Sequence, residues 1–279
     1  MLGLLAASTT DYRSSMETWR HGYEEGLKAP QGWLSVAGLF WLHEGENRAG
    51  SDPRNDILLP ASAPRNAAAL SFHQGKVRLQ PAPGVSLMVN GKPSRGQDLQ
   101  SDLNDHPDIV AIGSLSLTII QRGPRAGVRL RGPESAARRQ FSGLHWFPID
   151  ERYRIRARWH SYNPVRKIAI TNVLGITEDE TTPGYAEFDL DGKTWRLEPT
   201  IEDNNLFFTF RDQTAGKETY PSGRFLYTEM PKDGEVTIDF NKAHNPPCAF
   251  TSFATCPLPP RQNTIRAAIR AGEKKYGRH

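Results

Sequence analysis

No run of apolar residues in the sequence approaches the ~18 needed for a membrane-spanning helix, which excludes a helical integral membrane protein. Glycine (24) and proline (21) stay below collagen-like or low-complexity levels, and no internal repeat is present. The phosphate-cradling patterns GxGxxG and GxxxxGKS/T are missing, as are the GxSxG nucleophile turn and the HExxH zinc helix. Cysteine is scarce: Cys248 and Cys256 are the only two, among prolines, with seven residues between them. They would close a disulfide in an exported chain and are otherwise expected as two buried thiols. The net charge of +4 favours weak attraction to anions without making a nucleic-acid footprint.

What is present reads as one helix followed by many short strands. Tyr12, Met16, Trp19, Tyr23 and Leu27 recur at helical spacing, predicting a helix over 10–28 with Thr10 or Asp11 as its cap and an aromatic packing face. Residues 1–8 are apolar and resemble the end of a secretory signal, but lack its basic start and its full apolar length. Residues 33–42 form a short buried element whose type periodicity does not settle. From residue 55 on, apolar runs alternate with turn residues every 8–12 positions, the spacing of an all-β architecture. Asn90-Gly91 and Asp191-Gly192 mark two-residue hairpin turns, and residues 109–120 make one or two strands around Gly113. Residues 217–220 and 224–228 are expected to pair across Pro221-Ser222-Gly223. The tail 262–276 has weak helical character, with Ile265, Ala268 and Ile269 at helical spacing.

The predicted fold is mainly β, with two β domains preceded by an N-terminal helix. The helix and a connecting segment occupy 1–47, a β-sandwich 48–132, and a C-terminal barrel or sandwich 141–279. Domains of this size close a hydrophobic core without metal or disulfide.

Three constellations bear on chemistry. Arg152, Arg154, Arg156 and Arg158 alternate strictly and share one strand face. That face reads as a solvated surface paired with acids, for instance from residues 178–180, or as an anionic groove. Strand parity then places Glu187, Arg211, Glu218, Tyr220, Arg224, Asp239 and Asn241 where adjoining strands could turn them toward one hollow. Carboxylates beside guanidiniums and a phenol perturb one another and hold a polar ligand. The rival is an outward polar face with cross-strand ion pairs. Third, residues 239–260 make a stiff, apolar, proline-rich segment in which Asn245-Pro246 invites a turn or a cis bond. There His244 with Cys248 suggests a thiol–imidazole pair, but the surroundings favour a structural cap, and the Cys spacing fits no usual zinc pattern. The remaining histidines are scattered.

The C-terminal half resembles a known family. Phe210-Arg211-Asp212, residues 216–220 and 223–226, Asp239-Phe240-Asn241 and residues 245–251, beginning Asn245-Pro246-Pro247-Cys248, resemble the prokaryotic domain of unknown function 1684. Trp33-Leu34, residues 38–42 and residues 143–148 are similar to it as well, so the resemblance spans nearly the whole chain. It implies membership without implying an activity. Residues 55–59, 75–79 and 89–91 are similar to strands of a forkhead-associated-type β-sandwich. The Ser-Arg-x-His and Asn-Gly-Thr signatures of phosphothreonine readers are missing, since Lys92 follows Asn90-Gly91.

The expected function is binding of a small polar or anionic ligand in the C-terminal β domain of a soluble bacterial protein, with catalysis left open. Arg211 and Arg224 would hold an anionic group, with Glu187, Asn241 and Asn245 as further binding residues. Glu218 or Asp239 would act as base or acceptor and Tyr220 as donor. No metal or cofactor is expected, nucleic acid is disfavoured, and the oligomeric state is left open. The alternative is a non-catalytic protein- or polyanion-binding module using the N-terminal sandwich or the arginine stripe. The expected compartment is the cytoplasm, or the periplasm if residues 1–8 are the remnant of a signal peptide.

Overall fold

The computed structural model describes residues 2–277, with side chains from residue 11 onward. The side chains of residues 1–8, on which the signal-peptide expectation rests, lie outside the described residues. The chain divides into two compact units: residues 27–141, and residues 1–26 together with 142 onward. Both are built mainly from β-strands. Among the described residues no helix is long and apolar enough to cross a membrane.

In the unit 27–141, six strands form one sheet, in the order Val36–Trp41, Arg125–Arg131, Leu115–Arg122, Ile109–Ile112, Leu87–Val89, Lys92–Ser94. Five form a second: Ile57–Leu58, Gly45–Gly50, Ala68–His73, Lys76–Pro81, Gln97–Leu99. Successive side chains in a strand point to opposite faces, so one set from each sheet turns inward. Leu70 and Leu79 from one sheet and Leu117, Ile119, Val128 and Leu130 from the other share a single core. The result is a β-sandwich. Asn90 and Gly91 sit at φ of 50° and 76°, the left-handed pair that a two-residue hairpin needs, and join Leu87–Val89 to Lys92–Ser94. Ile109–Ile112 and Leu115–Arg122 form the two strands around Gly113. Residues 33–42 resolve into a 3-10 turn, Trp33–Ser35, and a strand, Val36–Trp41.

In the other unit, a four-stranded sheet runs Lys193–Leu197, Thr177–Leu190, Arg154–Thr171, Glu235–Asp239, and a three-stranded sheet runs Thr200–Glu202, Asn205–Phe210, Arg224–Thr228. Both sheets are open, so the C-terminal fold is of the sandwich type rather than a barrel. Ala186, Phe188, Val236 and Ile238 from the first meet Leu206, Phe208, Phe210 and Leu226 from the second. Phe240 closes this core, its ring 5.6 Å from Phe188 and 5.3 Å from Phe210 in edge-on geometry. Asp191-Gly192 turns the chain as expected, with φ of 53° and 73°.

Four local expectations change. The helix spans Leu2–Lys28, so Thr10 and Asp11 lie inside it rather than at a cap. Residues 217–220 do not pair with 224–228; Arg224–Thr228 pairs with Asn205–Phe210 instead, because that register buries Leu226 against Phe208. The tail is extended, not helical: Ile265, Ala267, Ile269 and Ala271 are buried while the residues between them are not, a period of two. The cis peptide bond falls at Asn163-Pro164 and not at Asn245-Pro246.

Phe240 is fully buried where both sheets and the segment following Glu235–Asp239 meet. Phe240→Ala should therefore destabilise the protein by about 3–5 kcal/mol, read as a lower urea midpoint at unchanged slope. A loss under ~1 kcal/mol would mean that this ring is not the closing element of the core.

Candidate functional site

A groove of about 1190 Å3 opens between the N-terminal helix and the edge of the four-stranded sheet. The helix contributes Tyr12, Met16, Trp19 and Tyr23. The sheet contributes Arg154, Arg156, Glu235 and Asp239, and the strand Arg224–Thr228 contributes Tyr227. Lys242 and His244 follow from the segment after Asp239.

One polar cluster holds the helix on the sheet. The Tyr12 hydroxyl donates to the Asp239 carboxylate, 2.9 Å from each oxygen, and accepts from Asn241 Nδ2 at 3.0 Å. Asn241 also donates through its backbone N–H and through Nδ2 to Asp239 Oδ1, both at 3.1 Å. The same side chain engages Asp150: Nδ2 also donates to the carbonyl at 2.9 Å, and Oδ1 accepts from the amide at 3.1 Å. Burial first, and then the charge of Asp239, push the Tyr12 phenol well above its ordinary range. Tyr12 and Met16 pack on Ile149 beside this cluster, with Trp19 against them.

The aromatic wall lies further along. Trp19 and Tyr23 stack at 5.5 Å, Tyr23 lies 4.8 Å from the His244 ring, and Tyr227 lies nearly parallel to His244 at 6.0 Å and 8°. Phe207 backs Tyr227 at 4.7 Å. Burial pulls the His244 imidazole down to about 4, so it is neutral at neutral pH. Its Nδ1 lies 3.0 Å from the Lys242 carbonyl. A carbonyl only accepts, so Nδ1 carries the hydrogen and Nε2 keeps a lone pair, with no protein partner among the described residues.

The groove's charges nearly balance. Glu235 is engaged by Arg156, and Asp239 by Tyr12 and Asn241. Arg154 stacks its guanidinium over the Tyr12 ring at 4.9 Å. Lys232 and Lys242 make no ion pair among the described residues, and Asp11, Glu229 and Asp233 line the same space.

The residues expected to converge do so only in part. Asp239 lines the groove, and Asn241 lies directly behind it. Glu187 lies on the solvent side of its strand, held by Arg158 at 2.8 Å and Arg196 at 2.9 Å, which lower its carboxyl. Glu218 is exposed and paired with Arg270 at 3.0 Å. Arg211 is exposed, its backbone bridged to Thr264. Arg224 is buried: the register that pairs it with Phe210 turns it to the inner face. There it donates to the carbonyls of Ala271 and, at 3.0 Å, Ile269, and lies 3.3 Å from Asp212. This guanidinium ties down the C-terminal segment. Asn245 donates its backbone N–H and Nδ2 to the two Glu273 oxygens at 2.8 and 2.6 Å. Tyr220 donates to the Cys248 carbonyl at 3.1 Å.

The arginine stripe is an outer face, but its acids are not residues 178–180, which pair further along the strand with 168–170. Arg152 pairs with Asp150, Arg156 with Glu235 and Arg158 with Glu187. The His244–Cys248 pairing does not form either. The imidazole sits among Tyr23, Tyr227 and Phe225, and Cys248 faces Cys256. Among the described residues no three His, Cys, Asp or Glu side chains cluster closely enough to hold a metal ion. The groove residues that sequence reasoning missed are Trp19, Tyr23, Tyr227 and His244. The i, i+4 spacing of Trp19 and Tyr23 was visible, but it reads as packing until the facing strand is known.

Glu273 is fully buried, and burial raises its carboxyl from 4.5 to about 8, against the hydrogen bonds from Asn245. The folded chain keeps this proton where the unfolded chain has lost it, so stability should fall as pH rises from 4.5 to about 8. Denaturant unfolding across that window should show the decline, and Glu273→Gln should flatten it. Equal slopes in both proteins would remove Glu273 as its source.

Residues 139–274 match the family described as protein of unknown function DUF1684. Residues 143–148 fall within the match. Residues 33–42 fall outside it, so the family likeness covers the C-terminal part of the chain rather than nearly all of it. An uncharacterized protein of Haloarcula marismortui, solved by NMR, is 33% identical, over 49% of this chain and 78% of its own, with a TM-score of 0.42. The FHA-2 domain of a Mycobacterium tuberculosis ABC transporter is 27% identical, over 31% of this chain and 76% of its own, at a TM-score of 0.25. The FhaA FHA domain is 16% identical, over 33% of this chain and 97% of its own, also at 0.25. No curated protein matches. Residues 139–274, just under half of the chain, thus bear a likeness to the family described as protein of unknown function DUF1684.

Proposed function

We propose that the chain binds a small, neutral, ring-shaped polyol of the carbohydrate class in the groove beside the N-terminal helix. The supporting observation is the pairing of an aromatic wall with balanced charge. Trp19, Tyr23, Tyr227 and His244 line the space with aromatic rings, while acids and bases line it in nearly equal number. An anion would meet the acids as well as Arg154, Lys232 and Lys242. A polyol ring uses both: its apolar face stacks on an aromatic ring, and its hydroxyls donate to carboxylates and accept from cations. His244 Nε2 adds a neutral acceptor. Asp239 acts as a positioning residue, because Tyr12 and Asn241 already engage its oxygens. The polyanion reading has less support, since Arg152, Arg156 and Arg158 are each engaged by an acid.

A glycan array followed by calorimetry on the best sugar tests this. Tyr227→Ala and Trp19→Ala should each weaken binding about tenfold, roughly 1.4 kcal/mol, with little dependence on salt. Failure of every sugar to bind, or binding by both variants as tight as by the unaltered chain, would overturn the reading. A ligand lost steeply with salt would move it to anions.

A further inference from the structure

Beyond the groove, the proline-rich segment brings two thiols together. The Cys248 backbone N–H donates to Cys256 Sγ at 3.2 Å, and the Cys256 side chain hydrogen-bonds to the Cys248 thiol. Both stand on anchored backbone. The 3-10 turn Pro247–Ala249 carries Cys248. Cys256 is fixed through its carbonyl, which accepts from Val173 N–H at 2.9 Å, and Leu258 N–H donates to the Thr171 carbonyl at 2.8 Å. Cys248 is partly exposed while Cys256 is 4% exposed. The Tyr220 hydroxyl lies against Cys248, donating to its carbonyl at 3.1 Å.

We propose that Cys248 and Cys256 are a redox site, forming a reversible intramolecular disulfide by exchange with small disulfides of the glutathione class. Cys248 attacks and Cys256 resolves. The Cys248 thiol gives its proton to water, and its thiolate attacks one sulfur of the small disulfide. A mixed disulfide forms and one small thiolate leaves, taking up a proton. The Cys256 thiol then loses its proton and attacks the Cys248 sulfur, expelling the second small thiolate, which is also protonated. Two protein thiols are oxidised to one disulfide, and one small disulfide is reduced to two thiols. Excess thiol drives the reverse.

The geometry assigns the two roles. Cys248 is the less buried of the two residues and so the one a bulky disulfide can approach, and Cys256 lies beside it, so the mixed disulfide resolves internally. The hydrogen bond from the Cys256 side chain favours the Cys248 thiolate and, against the burial that opposes it, lowers that thiol below its ordinary range. His244 has no part in this, its ring being held among tyrosines.

The test uses the full chain, equilibrated in glutathione buffers from reducing to oxidising, quenched in acid, alkylated and weighed. Both thiols should disappear together, with a mass loss of two hydrogens and no lasting glutathione adduct, and an excess of dithiol should restore them. Cys256→Ser should stop at a glutathione adduct on Cys248. Independent titration of the two thiols, or a glutathione adduct that persists on the unaltered chain, would overturn the proposal. The measurement on the unaltered chain decides even if a variant fails to fold.

Discussion

One phenol hydroxyl sets the geometry of the candidate site. Tyr12 near the start of the chain donates to Asp239 near its end, 227 residues apart, with Asn241 donating into the same centre. A buried carboxylate without partners costs several kcal/mol. Here the partners come from the helix and from the first residues after the sheet's edge strand. Asp239 cannot be desolvated favourably unless the helix lies against that edge. The groove is the space left alongside, where the helix's next aromatic residues, Trp19 and Tyr23, meet His244 and, beyond it, Tyr227 in one wall.

The same logic organises the C-terminal segment. Arg224 is turned into the core by its strand register and would be an uncompensated buried charge there. Two carbonyls from the extended tail and the Asp212 carboxylate answer it. Glu273 lies a few residues further on, clamped by Asn245. Together these polar anchors hold an extended stretch whose apolar side, Ile265, Ala267, Ile269 and Ala271, completes the core. Side chains that look like ligand-binding groups in the sequence are here used to satisfy backbone and buried charge. Groups at the groove, such as Arg154, Lys242 and His244, keep donors or acceptors that no described residue engages.

The groove and the thiol pair share one piece of chain. Residues 239–260 carry Asp239, Lys242 and His244 on the groove side, and Cys248 and Cys256 beyond it. His244 is tied to the strand Arg224–Thr228 by two backbone hydrogen bonds with Phe225, of 3.0 and 2.9 Å. That anchor lies between the two features and lets a stiff, proline-rich segment position both.

The sequence alone determined the β-rich class, the hairpins at Asn90-Gly91 and Asp191-Gly192, the aromatic helix face and the arginine stripe, because each is a local or periodic signal carried by adjacent residues. It also carried the tail's alternation of Ile265, Ala267, Ile269 and Ala271, which short apolar spacing lets one misread as helical. Tertiary structure alone decided which strand takes Arg224–Thr228 as its partner, and hence that Arg224 points into the core. It also decided that Glu187 and Glu218 meet arginines at the surface, and that Cys248 meets Cys256 rather than His244. Strand parity says which residues share a face, but not what that face meets. The answer depends on pairings between distant segments, chosen by how well whole sheets bury their apolar sides.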